Sequence, residues 1–196
     1  MPERVQKGQG TMRAFTFENA TKIYFGGGCV KEHLLEAVKP YGETVMLAYG
    51  GGSIKTNGIY QEVMDVLKLA GKQVIEFSGI MPNPTYSKVM EGKKVVQENQ
   101  VDLILAVGGG SVMDCSKAIS MAAATDKDVW EEYWIKKGEI DFEPVPVGVI
   151  VTVVGTGSEV NGEGVITHEE QKIKTSRNYP RCNPVFAMMD PKYTYT

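Results

Sequence analysis

Short apolar segments alternate with amphipathic segments along nearly the whole chain, and this alternation restricts the possible folds more than any other feature. The apolar segments are hydrophobic almost throughout, which is typical of strands covered on both faces. Helical spacing recurs between most of them. Together these patterns predict βαβ units, that is, an α/β fold with an open, mostly parallel Rossmann-like sheet and helices on both faces. The predicted strands are residues 22–25, 44–49, 73–77, 103–107, 147–151 and 185–189.

Glycine triplets follow three of the predicted strands, at residues 26–28, 50–52 and 108–110. Glycine allows the backbone to approach a ligand closely, and the helix that follows presents free N–H groups that favour anions, phosphate above all. The spacing of Ser111 and Asp114 also fits a capping box. Tight capped turns without a ligand remain the alternative, but two strand–turn–helix units of this kind favour a dinucleotide.

A further cluster of small polar residues, TVVGTGSEVNGEG at residues 152–164, follows the predicted strand 147–151. Thr152, Thr156 and Ser158 supply hydroxyl groups, and the glycines between them give access to the backbone. Two β-type runs then flank a polar turn within residues 164–176, which predicts a small β-hairpin laid over one edge of the sheet.

Composition and charge exclude several classes of protein. The formal net charge of −3 argues against a nucleic-acid-binding surface, which is basic and clustered. The longest apolar stretch, residues 145–155, is too short to span a bilayer, so no membrane association is expected. The cysteines are three and widely scattered, which suits a reducing cytoplasm rather than a disulfide framework or a zinc site. Residues 1–13 are polar and predict a flexible tail, with Met1 or Met12 as the start.

Several motifs, in this order, resemble the cofactor-binding half of the iron-containing (group III) alcohol dehydrogenases. They are GGGSVMDCSKA, TVVGTGSEVN and NPVFAMMDPKYTYT. YGGGSIKTNGIYQEV and EFSGIMPNPTYSKV are most similar to the branch of NADPH-dependent butanol dehydrogenases and aldehyde reductases. The similarity covers the chain from Phe15 onward, so it is more specific than one glycine turn.

The resemblance implies a nicotinamide nucleotide at the glycine turns. Residues 109–114 match the turn that holds the pyrophosphate and the nicotinamide ribose, and the threonines of 152–161 match those near the nucleotide. Asn161 and Val165 match positions beside the nicotinamide, and Lys174 matches a lysine that reaches the ribose. The expected cofactor-binding residues are Gly50, Gly51, Gly52, Ser53, Gly109, Gly110, Ser111, Asp114, Thr152, Thr156, Asn161, Val165 and Lys174.

The turn after the second predicted strand favours NADP(H) over NAD(H). NAD-binding sites usually place an acidic side chain at this point, where it accepts a hydrogen bond from the ribose 2′-hydroxyl. Here Tyr49 runs into residues 50–52 without one. Backbone N–H groups, Ser53 and Lys55 are expected to receive a 2′-phosphate instead.

The resemblance also implies a divalent metal, Fe²⁺ or Zn²⁺, which polarises the alcohol or carbonyl oxygen while the nicotinamide exchanges a hydride. The family binds it with one Asp and three His, mostly from an all-helical second domain. This sequence has only two histidines, His33 and His168, and neither lies in the ligand motif. We therefore expect no metal ligand and assign no catalytic residue here.

The expected organisation is a tail at residues 1–13, a nucleotide-binding domain at 14–184 and the start of a junction at 185–196, without the helical domain. The resemblance implies a cytoplasmic, homodimeric alcohol and aldehyde oxidoreductase, represented by its cofactor-binding half. Two alternatives stay open. One is an inactive nucleotide-binding remnant, and the other is a relative of the glycerol-phosphate dehydrogenases or dehydroquinate synthases.

Overall fold

The computed structural model describes residue 16 and residues 18–195, so the predicted tail at 1–13, including Met12, lies outside the described residues. The strands are β1 (Lys22–Phe25), β2 (Thr44–Tyr49), β3 (Gln73–Phe77), β4 (Leu103–Gly108), β5 (Val147–Val151), β6 (Glu163–His168), β7 (Ile173–Asn178) and β8 (Phe186–Met189). The α-helices are α1 (Cys29–Val38), α2 (Ser53–Thr56), α3 (Ile59–Leu69), α4 (Tyr86–Glu98) and α5 (Gly110–Ala123). Shorter helical segments are a π-helix at Trp130–Ile135 and 3₁₀ turns at Ser158–Val160, Pro180–Cys182 and Pro191–Thr194. Among the described residues, no helix is both long and apolar enough to cross a membrane.

Six strands form one parallel sheet in the order β1-β8-β5-β4-β2-β3. This confirms the predicted α/β fold. The chain adds β3 on one side of β2 and then returns to place β4 on the other side, so the winding direction reverses between β2 and β4. A crevice for ligands forms at such a reversal, beyond the carboxyl ends of the strands. The sheet also extends into the segment expected to be a junction, because β8 lies between β1 and β5.

The two faces of the sheet are covered by different helices, and β4 shows how the sequence satisfies both. Leu103, Leu105 and Val107 pack in one apolar cluster with residues of α1 and α3. Ile104 and Ala106 pack in the other cluster with residues of α4 and α5. Alternate side chains of a strand point to opposite faces, so a strand covered on both sides must be apolar throughout.

The predicted hairpin is present as β6 and β7. The two strands form a separate antiparallel pair that packs on α5. Gly164 lies at this contact, where a Cβ would be at ordinary van der Waals distance from Trp134 (3.4 Å) and from the backbone oxygen of Asp114 (3.5 Å). The next inward residue of β6, Ile166, is 2% exposed. The apolar face of β6 therefore finds its partner on a helix.

Candidate nucleotide-binding site

The glycine turns predicted from the sequence lie at the same edge of the sheet. All six strands are parallel, so the turns after β1, β2 and β4 and the loop after β5 leave the sheet on one side. The turn after β2 touches the start of α5, because a Cβ at Gly50 would lie 3.9 Å from Val112 Cγ2. The residues after β2, β4 and β5 therefore form neighbouring parts of one surface.

The turn that leads into α5 lies directly beneath the loop after β5. A Cβ on Gly110 would lie 2.7 Å from Cγ2 and 2.9 Å from Oγ1 of Thr156, and one on Gly109 would lie 3.0 Å from Val153 Cβ. The loop is also tied to the strand, since the N–H of Thr152 donates to the oxygen of Gly108 at 3.0 Å. The turn has no room for side chains, which explains its glycines.

The predicted capping box at the start of α5 is wrong. The helix begins at Gly110 and its N-cap is Gly109, so Ser111 already lies in the first turn. The carboxylate of Asp114 instead accepts from Ser158 Oγ at 2.6 Å and from the N–H of Val165 at 3.1 Å. The donors that the loop and the hairpin supply bind the Asp114 carboxylate in place of the backbone N–H at the start of the helix. Within the described residues no side chain caps α5, so its first N–H groups face the crevice.

Hydrogen bonds hold the loop after β5 in one conformation. Thr156 Oγ1 accepts from the N–H of Ser158 at 3.2 Å, and Asn161 Oδ1 accepts from the N–H of Glu163 at 2.9 Å. The loop therefore presents the Thr156 side chain to the turn while its far end continues into β6. The structure thus brings together the turn 109–114, the loop 152–161 and Val165.

Lys117 is a buried residue of this site that the sequence reasoning missed. Its side chain is 1% exposed, and its Nζ donates to the oxygen and the Oγ of Ser158 at 3.0 and 2.7 Å. Nζ also lies 3.0 Å from the oxygen and 3.3 Å from the Oδ1 of Asn161, and 3.8 Å from Asp114 Oδ1. The spacing i, i+3 from Asp114 on a helix was the available signal.

Burial shifts the pKa values of both charged groups in this network. It lowers the pKa of Lys117 to about 8, although the nearby Asp114 carboxylate opposes the change. Burial raises the pKa of Asp114, while the hydrogen bonds from Ser158 and Val165 and the charge of Lys117 oppose it. Burial thus disfavours the charged form of both groups, and their hydrogen bonds and opposite charges partly offset this effect.

The turn after β2 is more open than the turn before α5. Gly52 has a φ of +106°, and a Cβ at Gly51 or Gly52 would meet nothing within 4 Å. Ser53 is exposed and starts α2, a helix of only four residues. Gly50 alone is confined, since its Cβ would lie 3.3 Å from the oxygen of Ile80. This part of the surface has room for a bulky ligand group.

An acidic side chain lies close to this open turn, and the sequence reasoning missed it because it comes from the neighbouring strand β3. Glu76 accepts from Tyr49 Oη at 2.5 Å and Tyr60 Oη at 2.7 Å, and pairs with Lys55 Nζ at 3.0 Å. These partners lower the pKa of Glu76 to about 2. The cation expected to receive a 2′-phosphate thus already has a carboxylate partner.

Lys174 projects from β7, and its Nζ donates to Asn83 Oδ1 at 2.5 Å. Both residues are exposed, and Asn83 has a φ of +56°. The structure therefore places Lys174 against the loop before α4 and gives it no contact with the turn 109–114 among the described residues.

The turn after β1 is filled from within the chain. The N–H of Gly28, the residue before α1, donates to Asp190 Oδ2 at 2.6 Å. Asp190 follows β8 and is 2% exposed. A carboxylate of the protein thus sits at the start of α1, where the N–H groups and helix dipole favour an anion.

The metal that the resemblance implies does not fit the described residues. No group of three or more His, Cys, Asp and Glu side chains in that part of the chain could hold an ion. His33 stacks on Tyr24 with ring centroids 4.9 Å apart. His168 packs against Tyr86 and Trp130 at 5.2 and 4.9 Å. Both histidines serve as packing partners rather than as members of a ligand cluster.

A family model and several known relatives point to the same protein family. A family model described as iron-containing alcohol dehydrogenase matches residues 20–191. The "Probable NADH-dependent butanol dehydrogenase 1" of Bacillus subtilis is 44% identical over 185 residues, which cover 94% of this chain and 47% of that protein. The NADPH-dependent aldehyde reductase YqhD of Escherichia coli is 39% identical over 186 residues, which cover 94% of this chain and 47% of that protein.

A solved structure extends the similarity to three dimensions. The NADH-dependent butanol dehydrogenase A of Thermotoga maritima superimposes with a TM-score of 0.88 at 39% identity, over 94% of this chain and 46% of that one. The chain therefore spans about half the length of the relatives it matches. The residues that the family model matches, 20–191, include every strand of the sheet.

Proposed function

The chain belongs to the iron-containing alcohol dehydrogenase family, and we propose that it is the nicotinamide-nucleotide-binding part of an enzyme that interconverts alcohols and aldehydes. The observation that carries the proposal is the turn 108–110 beneath Thr156, which leaves the uncapped start of a 14-residue helix facing the crevice. The names of the relatives, butanol dehydrogenases and an aldehyde reductase, support small alcohols and aldehydes as the substrates.

The proposed pose places the pyrophosphate at the start of α5. Backbone N–H groups of Gly110 and Ser111 bind its oxygens, and the helix dipole favours the negative charge. The hydroxyls of Thr152 and Thr156 are available for further hydrogen bonds. Asp114, which is oriented by Ser158 and Val165, accepts from a ribose hydroxyl.

The nicotinamide side of the pose lies between the loop and the hairpin. Asn161 and Val165 line it, and Lys174 reaches the ribose together with Asn83, its partner in the structure. Bound there, the nucleotide supplies hydride exchange. The described residues hold no metal site, so for this chain the proposal covers binding and orientation of the nucleotide.

We further propose a preference for NADPH over NADH at the open turn 50–53. The absence of an acid within that turn and the nearby cation Lys55 support it. Glu76 limits the preference, because a 2′-phosphate has to share Lys55 with that carboxylate. The relatives include proteins named for NADH and a protein named for NADPH, so both nucleotides are compared in the test.

The alternatives differ in how well they are supported. The relatives named above are alcohol dehydrogenases and an aldehyde reductase, so they do not favour a glycerol-phosphate dehydrogenase or a dehydroquinate synthase. An inactive nucleotide-binding remnant would also bind NADPH, so an assay of alcohol and aldehyde turnover, and not nucleotide binding, distinguishes it from the proposal. A homodimer stays a prediction from the resemblance.

The test is isothermal titration of the purified 196-residue chain with NADPH and with NADH. We expect saturable binding of both nucleotides, at one per chain, with NADPH bound more tightly. Tighter NADH binding would contradict the NADPH preference and leave the nucleotide site standing. The absence of saturable binding by either nucleotide would overturn the proposed function.

A further inference from the structure

Lys117 connects the helix of the proposed nucleotide site to the loop above it. Its Nζ lies within 3.3 Å of four oxygens, and all four belong to Ser158 and Asn161. Ser158 and Asn161 lie in the C-terminal half of the loop 152–161. Thr156, which packs over Gly110, comes just before them in the same loop. A single ammonium group therefore fastens the loop to α5 from below.

Ser158 makes this fastening specific, because its hydroxyl serves both charged groups. Oγ accepts from Lys117 Nζ at 2.7 Å and donates to Asp114 Oδ1 at 2.6 Å. The Asp114 carboxylate is thereby fixed by the same contact that fixes the loop. A change at Lys117 is therefore expected to reach Asp114 and Thr156, although the Lys117 side chain itself is buried.

On this basis we propose that Lys117 is a positioning residue that holds the loop 152–161 and Asp114 in the conformation that binds the nucleotide. The inference rests on the proposed function. Lys117 acts through Ser158 and Asn161, and it does not touch the nucleotide.

The burial of this cation argues against a merely structural role. Replacing a buried ion pair with apolar groups of similar volume is often neutral or stabilising, so stability alone does not require a lysine here. Perturbed charges of this kind concentrate at functional sites. The charge of Lys117 serves to orient the polar groups of Ser158 and Asn161 in the loop, a role that an apolar side chain of the same volume could not fill.

The surroundings of Lys117 define how the contact responds to pH. The groups that face it are Asp114 on α5, Glu159 in the 3₁₀ turn, Glu163 on β6 and the thiol of Cys182. Burial raises the pKa of Cys182 to about 12, so the thiol stays neutral in mild alkali. Lys117 has its pKa lowered to about 8, so the ammonium is lost as the pH rises through that value. Nucleotide affinity should fall over the same range.

The test measures NADPH affinity of the full chain between pH 7 and pH 9.5, with circular dichroism as a check on folding. For the natural sequence we expect a loss of about tenfold across this range, since the charged form holds the loop. Lys117→Arg keeps its charge and should give a flat profile, while Lys117→Met should bind at least about tenfold more weakly at pH 7. Lys94→Met, at an exposed helical lysine, is the matched control and should behave like the natural sequence.

Amide hydrogen exchange separates this inference from the proposed function and is informative even where a variant binds no nucleotide. Lys117→Met should accelerate exchange in residues 152–161 and leave β4 unchanged. Unchanged exchange in that loop, or a flat pH profile of the natural chain, would overturn the role of Lys117. Accelerated exchange in a protein whose natural form binds no NADPH would overturn the proposed function and keep the fastening of the loop.

Discussion

The starts of α1 and α5 look alike in the sequence and differ in what faces them. Each comes after a strand of the parallel sheet and begins at or just after a glycine triplet, at the same edge of the sheet. At α1 the N–H of Gly28 donates to the Asp190 carboxylate, which is 2% exposed. At α5 no side chain within the described residues caps the helix, and the Thr156 side chain packs over its first residue, Gly110.

The difference teaches that a glycine turn at a helix start is an anion site whose occupant depends on the rest of the fold. The α1 turn is filled by the chain's own carboxylate and so contributes to folding. The α5 turn is surrounded by groups that hold its shape, namely Asp114, Ser158 and Lys117, without filling it. This contrast makes α5 the place for the pyrophosphate.

Substituting one glycine in each turn should reveal the largest difference between the two helix starts, because only the α5 turn is expected to bind NADPH. Gly110→Ala puts a Cβ within 3 Å of Thr156. The Thr156 side chain must therefore move, and the added methyl group blocks the approach of the pyrophosphate. We expect NADPH affinity to fall on the order of a hundredfold with a much smaller loss of stability, because Thr156 is exposed and can move. Calorimetry and thermal unfolding measure the two effects.

Gly27→Ala is the matched control in the α1 turn. A Cβ there would meet only Lys192 Cε, at 3.8 Å, so the variant should fold and bind NADPH as the natural chain does. If the two variants lost affinity equally, the assignment of the pyrophosphate to α5 would be wrong.

The sequence predicted the main sheet better than it predicted the site, for physical reasons. Uniformly apolar strands fix a parallel sheet, and the predicted strand 147–151 has the bounds of β5. The capping box at Ser111 was wrong because donors distant in sequence, on Ser158 and Val165, compete for Asp114. Local spacing carries no information about such partners.

Lys117 and Glu76 were missed for a related reason. Each lies within an apolar-looking helix or strand and takes its role from a neighbouring element, the loop for Lys117 and α2 for Glu76. The hairpin was recognised from its pattern, but its packing on α5 joins segments about 50 residues apart, which local spacing does not show.

Lys174→Ala should have the next largest effect. The side chain is exposed and bonded to Asn83, so its loss should hardly change the melting temperature. A charge-assisted hydrogen bond to the ribose is worth roughly 1.5–3 kcal/mol, so NADPH affinity should fall about tenfold or more. Lys94→Ala is the control, and a drop in melting temperature with intact affinity would give Lys174 a structural role instead.

Glu76→Gln should change selectivity at the open turn by a smaller amount. Without the carboxylate, Lys55 is free to pair with a 2′-phosphate, so the ratio of NADPH to NADH affinity should rise about threefold. Parallel titrations of both nucleotides check this. A lower ratio would mean that Glu76 holds Lys55 in its binding position rather than competing for it.

The smallest expected effect is on acid stability. Tyr49, Tyr60 and Lys55 lower the pKa of Glu76 to about 2, so its contribution is present above the unfolded value of 4.5 and is lost as the pH falls toward 2. Solvent screens this partly exposed group, so we expect less than about 1 kcal/mol. Urea unfolding of Glu76→Gln should therefore differ from the natural chain at pH 5 and converge with it near pH 2. A difference that persisted at pH 2 would assign the effect to packing.

Amide chemical-shift mapping of the 196-residue chain during titration with NADPH shows directly which of the two helix starts binds the pyrophosphate. We expect saturable shifts of the amides of Gly109, Gly110 and Ser111 and of residues 152–161. The amides of residues 26–28 should stay in place, because Asp190 already occupies that turn. Saturable shifts at residues 26–28 without shifts at 109–111 would contradict the assignment of the pyrophosphate to the start of α5.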